Sequence, residues 1–356
     1  MSNKKDKETE LKIEPKKLFN AAGNDSLAER RMIGGNSTNL FNLNNVKYNW
    51  ANKLYRAMME NFWVPEKIPL TNDQVDYDKM TKYEQRAFNG ILSFLVFLDS
   101  IQTNNLPNIS DMITASEVNL CISVQTYQEA VHSQSYAYII ESVIPKSARD
   151  AIYDFWRKDK QLLERNSLIA RVYQDFIDNK TIDNFGKVLI ADYIMEGIYF
   201  YNGFNFFYNL ASRNLMIGTK DVIKLIHRDE NTHKVLFAKI ITTIKSENPG
   251  VINNEDIYRM TEEAVTSEIE WAKHIIGDDI LGMNSKSIEQ YTKWLANSNL
   301  KRIGLKAIYP EAETSPFQHL EKIADTEAKG DSKGNFFESS VTAYVQSSAI
   351  KGWEDF

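Results

Sequence analysis

From about Tyr48 to about residue 298, apolar residues recur at i, i+3, i+4 and i+7, the spacing of one face of an α-helix. The pattern predicts helices over 81–105, 114–143, 147–179, 184–212, 218–246, 255–276 and 285–298, with a further helix starting near Tyr48 in YNWANKLYRAMMENFW. The gaps hold Asn, Pro, Gly and Ser, the residues that punctuate helices. Pro65 and Pro69 in VPEKIPLTND exclude a helix interior, and Asn72 or Asp73 is placed to cap the next helix. No run of period two flanked by turn residues is found, so no sheet is expected. The fold class is all-α, a bundle of long helices over residues 46–310. Residues 1–45 form a polar arm with little fixed structure of its own, and residues 311–356 a flexible tail with a few embedded aromatics.

Composition narrows the class. The chain has 356 residues, 43% of them hydrophobic and 25% charged, as in soluble globular proteins. Its net charge of −6, with no basic block, makes a poor nucleic-acid binder, because phosphate backbones demand clustered Lys and Arg. Cys121 is the only cysteine, so no disulfide within the chain, CxxC zinc site or dithiol pair can form. The charged start MSNKKDKETELK lacks the apolar stretch of a signal peptide, and no apolar run reaches membrane-spanning length. A cytoplasmic protein without membrane contact is expected. Only 8 prolines and 15 glycines interrupt the chain, which agrees with long uninterrupted helices.

The candidate chemistry lies where charge falls on apolar helix faces. Asp99 sits in ILSFLVFLDSIQ, Glu129 and His132 in TYQEAVHSQSY, Glu196 in DYIMEGIYFY, and Glu230 and His233 in HRDENTHKVLF. In an i, i+3 pair both side chains share one helix face, so a Glu and a His there can hold one metal ion together. One such pair is a weak signal, and by itself it is more often a surface hydrogen bond. The repeat is stronger: a lone acid precedes a Glu-x-x-His pair twice, each time across a turn, near Asn105–Ser116 and near Arg213–Thr219. Two antiparallel hairpins facing each other would bring four carboxylates and two imidazoles to one depth. Four buried carboxylates need counter-charge, and two divalent ions supply it. Carboxylate and imidazole ligands without thiolate suit iron or manganese. A carboxylate from each of two helices and Glu-x-x-His from each of two others is the arrangement of ferritin-like dinuclear bundles.

Tyr136 follows His132 by one helical turn and should lie beside the ligands. Phe200, Phe204 and Ile226 would wall a dry pocket around its phenol. Removing an electron from a phenol expels its proton, which a nearby base must take.

The segments FLDSIQ, EAVHSQSY, MEGIYFY and HRDENTH, with NFWVPEKIPL upstream, resemble in order the small, radical-generating subunit of class I ribonucleotide reductase, over about residues 46–356. The resemblance implies a dinuclear site of two Fe or Mn ions on Asp99, Glu129, His132, Glu196, Glu230 and His233, and a stable tyrosyl radical on Tyr136. It implies a relay through Tyr344, Trp63, Asp229 and His132, with the tail, ending in WEDF, docking on the large subunit. It also implies a homodimer. NFWVPEKIPL looks most like the class Ib branch, whose manganese members are activated through a flavodoxin-like partner. Asn231 and Thr232 depart from the small apolar residues more usual there. A ferritin-like di-metal oxidase or iron-binding protein is the rival reading. It needs neither Tyr136 nor the aromatic tail. With one Cys, the chain lacks the thiols that ribonucleotide reduction requires, so the nucleotide site is expected on another chain.

Overall fold

The computed structural model describes residues 14–326, and every named element within them is helical. In chain order these are α1 (Asn49–Glu60), a short turn of 3-10 helix (Pro65–Lys67), α2 (Asp73–Lys79), α3 (Lys82–Met112), α4 (Ser116–Val143), α5 (Lys146–Lys158), α6 (Lys160–Asp178) and α7 (Ile182–Ile194). A π-helical segment (Met195–Tyr199) joins α7 to α8 (Tyr201–Ser212), and α9 (Ile217–Glu247), α10 (Asn254–Ile275), α11 (Ser285–Arg302) and α12 (Gln318–Thr326) complete the bundle. Among the described residues no helix is long and apolar enough to cross a membrane.

The expected all-α class holds, with local differences that have physical causes. The first long helix does not stop near Asn105. It starts in a capping box, Thr81 accepting from the Glu84 N–H and Glu84 from the Thr81 N–H, and runs through Pro107 to Met112. The break falls at Ile113–Ala115, which puts Asp99 and Glu129 14 residues from it on either side. The stretch 147–179 is two helices, because Asp159 turns extended and caps α6 through the Leu162 N–H. The stretch 184–212 is interrupted by the π segment.

The ends also differ from the expected boundaries. The arm carries no helix from residue 14 to 48, yet it is fastened to the bundle. Met32 and Ile33 are fully buried, Ile33 bridges to Ile113, and Arg30 pairs with the buried Glu117 at 3.2 Å. At the other end Ala312, Phe317 and Leu320 are buried and α12 packs on α8, so the packed chain continues past residue 310. The apolar residues of this stretch are too few to show a period, so the pattern alone reads as tail.

The core of the bundle is built by α3, α4, α9 and the α7–π–α8 run, which pack on one another along their lengths. These are the four elements that carry the candidate ligands.

Candidate metal centre

Asp99 comes from α3, Glu129 and His132 from α4, Glu196 from the π segment, and Glu230 and His233 from α9; all six are fully buried. Their ligand atoms form two overlapping groups, Asp99/Glu129/His132/Glu230 and Glu129/Glu196/Glu230/His233, each with its atoms within 4.8 Å of one another. Glu129 and Glu230 belong to both groups. The geometry is that of two cation sites with two shared carboxylates between them, and it assembles all six sequence-predicted residues.

The donor set fits metal ions rather than a self-satisfied polar cluster. Both oxygens of Asp99, Oε2 of Glu129, Oε2 of Glu196, Oε1 of Glu230 and Nδ1 of His132 are buried with no hydrogen-bond partner. Nδ1 of His132 nevertheless lies 3.1 Å from Glu230, 3.4 Å from Glu129 and 3.7 Å from Asp99. Nδ1 of His233, by contrast, hydrogen-bonds Glu230 Oε2 at 2.9 Å and lies 3.1 Å from Glu129. Lone pairs that converge on a point, instead of pairing with donors, are what a coordinated ion requires.

An outer layer fixes each ligand. Nε2 of His132 lies 3.4 Å from Asp229 Oδ2, and Nε2 of His233 lies 3.0 Å from Gln128 Oε1. With Nε2–H donating outward, each ring turns its Nδ1 lone pair inward. Gln102 and Gln125 each donate to Glu196 Oε1 at 2.8 Å, which leaves Oε2 free to face the group. Gln102 also donates to Asp192 at 2.7 Å and accepts from the Tyr173 hydroxyl at 2.8 Å. Sequence reasoning missed these glutamines, Asp192 and Tyr173. Gln102 follows Asp99 by three residues and Asp192 precedes Glu196 by four, so their helical spacing was the available signal.

The π segment aims Glu196. A π turn breaks the i→i−4 ladder, so some carbonyls lose their usual partner. Asn299 Nδ2 donates to Gly197 O and Arg165 to Tyr199 O, both at 2.8 Å. Arg165 is itself held by the buried Glu268 at 2.6 Å. A Cβ on Gly197 would come within 2.3 Å of Asn299 Nδ2, so glycine is required for the close approach.

Without cations, protons must offset the clustered charge. Burial first, then the neighbouring carboxylates, hold Asp99 and Glu196 well above the ordinary carboxylate range. Burial opposes charging His132 and His233, but Glu230, Glu129 and the hydrogen-bonding carboxylates outweigh it and push both imidazoles up. Burial also opposes ionisation of Glu230, and the two imidazoles reverse it, so that carboxyl is lowered.

Tyr136 is fully buried on α4 and its hydroxyl has no hydrogen-bond partner. Burial and the adjacent Asp99 charge hold the phenol protonated, well above its usual range. Phe200, Phe204 and Ile226 are buried as expected; the Phe204 ring neighbours Phe200, Tyr201 and His227. Trp63 is buried and donates from Nε1 to Asp229 Oδ2 at 2.8 Å, and its ring centroid lies 6.4 Å from that of His132. Trp63, Asp229 and His132 therefore form a continuous line from α4 toward the α1 side. Thr232 is satisfied locally, its hydroxyl donating to Asp229 O, while Asn231 accepts from Lys234. Tyr344 and the WEDF end lie outside the described residues.

Comparison with known proteins identifies the family. The family described as ribonucleotide reductase, small chain, matches residues 40–316. A ribonucleoside-diphosphate reductase subunit beta from Treponema pallidum is 43% identical over 95% of this chain and 97% of its own. One from Halalkalibacterium halodurans is 34% identical over 96% of this chain and 99% of its own. A solved ribonucleotide reductase R2 subunit from Clostridium botulinum superposes with a TM-score of 0.84 at 44% identity, covering 88% of this chain and 99% of that one. The chain belongs to the ribonucleotide reductase small chain family.

Proposed function

We propose that this chain is a radical-generating subunit in which Asp99, Glu129, His132, Glu196, Glu230 and His233 hold two divalent iron or manganese ions and Tyr136 stores the oxidising equivalent. The observation that carries the reading is the set of buried ligand atoms without hydrogen-bond partners, converging in two groups that share Glu129 and Glu230. Two such ions, once oxidised by dioxygen or a species derived from it, would supply the one-electron oxidant.

The chain's own residues do the rest. Tyr136 gives up one electron and, with it, the proton that its phenol otherwise holds firmly. Asp99, the carboxylate beside it, would take that proton once ionised on holding an ion. The dry surroundings keep water and reductants from the oxidised ring. Trp63, Asp229 and His132 form the outward relay, Asp229 accepting from the indole N–H and facing the imidazole, so electron and proton can shift along one hydrogen-bonded line. The single cysteine, Cys121, is buried, so thiol chemistry on a nucleotide belongs to a partner. We propose that this partner is the large subunit, docked through the C-terminal tail, and that Tyr344 continues the relay into it. We further propose a homodimer, with a flavodoxin-like activator where manganese is used.

The test separates storage from transfer. Trp63→Phe keeps an aromatic ring and loses the N–H donor. It should retain two ions and the Tyr136 radical while turnover with the large subunit stops. Deletion of residues 345–356 should likewise spare metals and radical but abolish association. Full turnover in either variant would remove the relay or the docking role.

A further inference from the structure

All six candidate ligands are fully buried, so ions must enter through the protein. None of the six lines the surface cavity between α3 and α6, but one of its wall residues, Tyr173, hydrogen-bonds Gln102, which in turn donates to Glu196. The cavity has a volume of about 390 Å³ and runs from the exposed side chains of Asn104 and Gln174 to the buried Asn105, Asn166 and Tyr173. Its inner end is polar and unsatisfied. Both amide atoms of Asn105 and the Nδ2 of Asn166 are buried without a partner. Polar groups left open around a space of this size call for water or a hydrated guest.

Tyr173 is shared by the cavity wall and the network behind it. Its hydroxyl donates to Gln102 at 2.8 Å and lies 3.4 Å from Asp192 Oδ2. Asp192 is fully buried, its partners are an amide and a phenol rather than a cation, and its Oδ1 has no partner. Unlike Asp229, which pairs with Arg228, it is a carboxylate near the centre with no cationic side chain beside it, while the centre's own four would be matched by two divalent ions. The same Gln102 amide bridges Asp192 to Glu196 Oε1. From solvent inward, oxygen atoms of Asn105, Tyr173, Gln102, Asp192 and Glu196 form a series of hard donors, which suit divalent iron and manganese.

We propose that this cavity is the entry route for divalent metal ions, with Tyr173 as its inner gate and Asp192 as the staging ligand that receives an ion before Glu196. The inference rests on the metal-centre reading and assigns roles to residues outside the six ligands. A buried carboxyl whose oxygen has no partner can take a hard cation in exchange for its proton, and losing it slows the inward step. The final site, built from other side chains, keeps its capacity.

The experiment follows uptake of Mn(II) by the full-length metal-free chain under anaerobic conditions, read as loss of the free-ion EPR signal. Asp192→Asn keeps the shape and removes the charge; Ala170→Phe plugs the cavity from its partly exposed wall, with Ser167→Phe as a second plug should the first fail to fold. Each should slow uptake about tenfold or more, while the endpoint stays at the wild-type two ions per chain. Wild-type uptake rates in both kinds of variant would overturn the route. Slowing in Asp192→Asn alone would overturn the cavity as the path, and slowing in the plugs alone would overturn the staging role. If the wild-type chain itself does not take up two ions, the metal-centre reading fails instead.

Discussion

Each half of the centre brings two carboxylates and one imidazole, but on different backbones. In one half Asp99, Glu129 and His132 sit on unbroken α3 and α4, each acid 14 residues from the Ile113–Ala115 break. In the other half Glu230 and His233 sit on an unbroken α9, but Glu196 sits on a π segment whose freed carbonyls are held by Asn299 and Arg165. The first half also borders Tyr136 and the Trp63–Asp229 line, while the second is held by Gln102, Gln125 and Gln128. Similar sets of acids and histidines can thus stand on backbones of different regularity. The side beside Tyr136 stands on two continuous α-helices, and the other on a π segment whose carbonyls are held by side chains distant in sequence.

The largest expected effect falls on what the halves share. Glu129→Ala or Glu230→Ala removes a ligand from both groups and leaves the other carboxylates crowded without compensation. Metal analysis should find neither ion tightly bound. Two ions per chain in either variant would break the division into two sites with shared carboxylates.

Terminal ligands should separate the halves. Asp99→Ala should spare the site of Glu196 and His233, and Glu196→Ala or His233→Ala the site of Asp99 and His132, each variant retaining about one ion per chain. Equal loss of both ions from every variant would show that the halves do not bind independently.

The π segment offers a sharper test of its own half. Gly197→Ala forces a methyl against Asn299, and overpacking of this kind costs about 1–3 kcal/mol. Thermal unfolding should show that loss, and weakened binding should be confined to the Glu196 site. A variant with wild-type stability and both ions equally tight would mean that the turn does not aim Glu196.

The smallest effect is a pH dependence. Asp99, Glu196, His132 and His233 all have raised values in the folded metal-free chain, so the folded state holds more protons than the unfolded one. Stability of the metal-free chain should therefore fall as pH rises from the ordinary carboxylate range through neutrality and above the usual histidine value. Ion binding displaces those protons, so affinity should rise over the same interval. The gap in Tm between metal-loaded and metal-free protein should widen with pH; a constant gap would contradict the proton-for-metal exchange.

Much of the fold and the site is legible in the sequence because it depends on period and spacing. The acids and histidines on apolar faces mark all six buried positions, since a charge there has no other cheap explanation. Tyr136, one turn from His132, follows from the same period. What periodicity cannot show is backbone irregularity. Pro107 inside α3 resembles a terminus, Asp159 divides a continuous apolar pattern, and the π segment keeps its apolar residues while changing their phase. Gln102, Gln125 and Asp192 escape notice because a buried amide or extra acid gains meaning only from its partners across the bundle. The arm and α12 look loose in sequence because each anchors through a few residues, Met32 and Ile33 or Phe317 and Leu320, too few to form a pattern.

The central claim is that the centre oxidises Tyr136 and that Asp99 and its neighbours keep the resulting radical. An EPR spectrum taken after loading metal and oxidant, with metal analysis on the same sample, tests it in the wild type and in Tyr136→Phe. Two ions per chain are expected in both, and a doublet with tyrosyl hyperfine structure in the wild type only. The same doublet in Tyr136→Phe, or no radical in a wild-type chain carrying both ions, would contradict it.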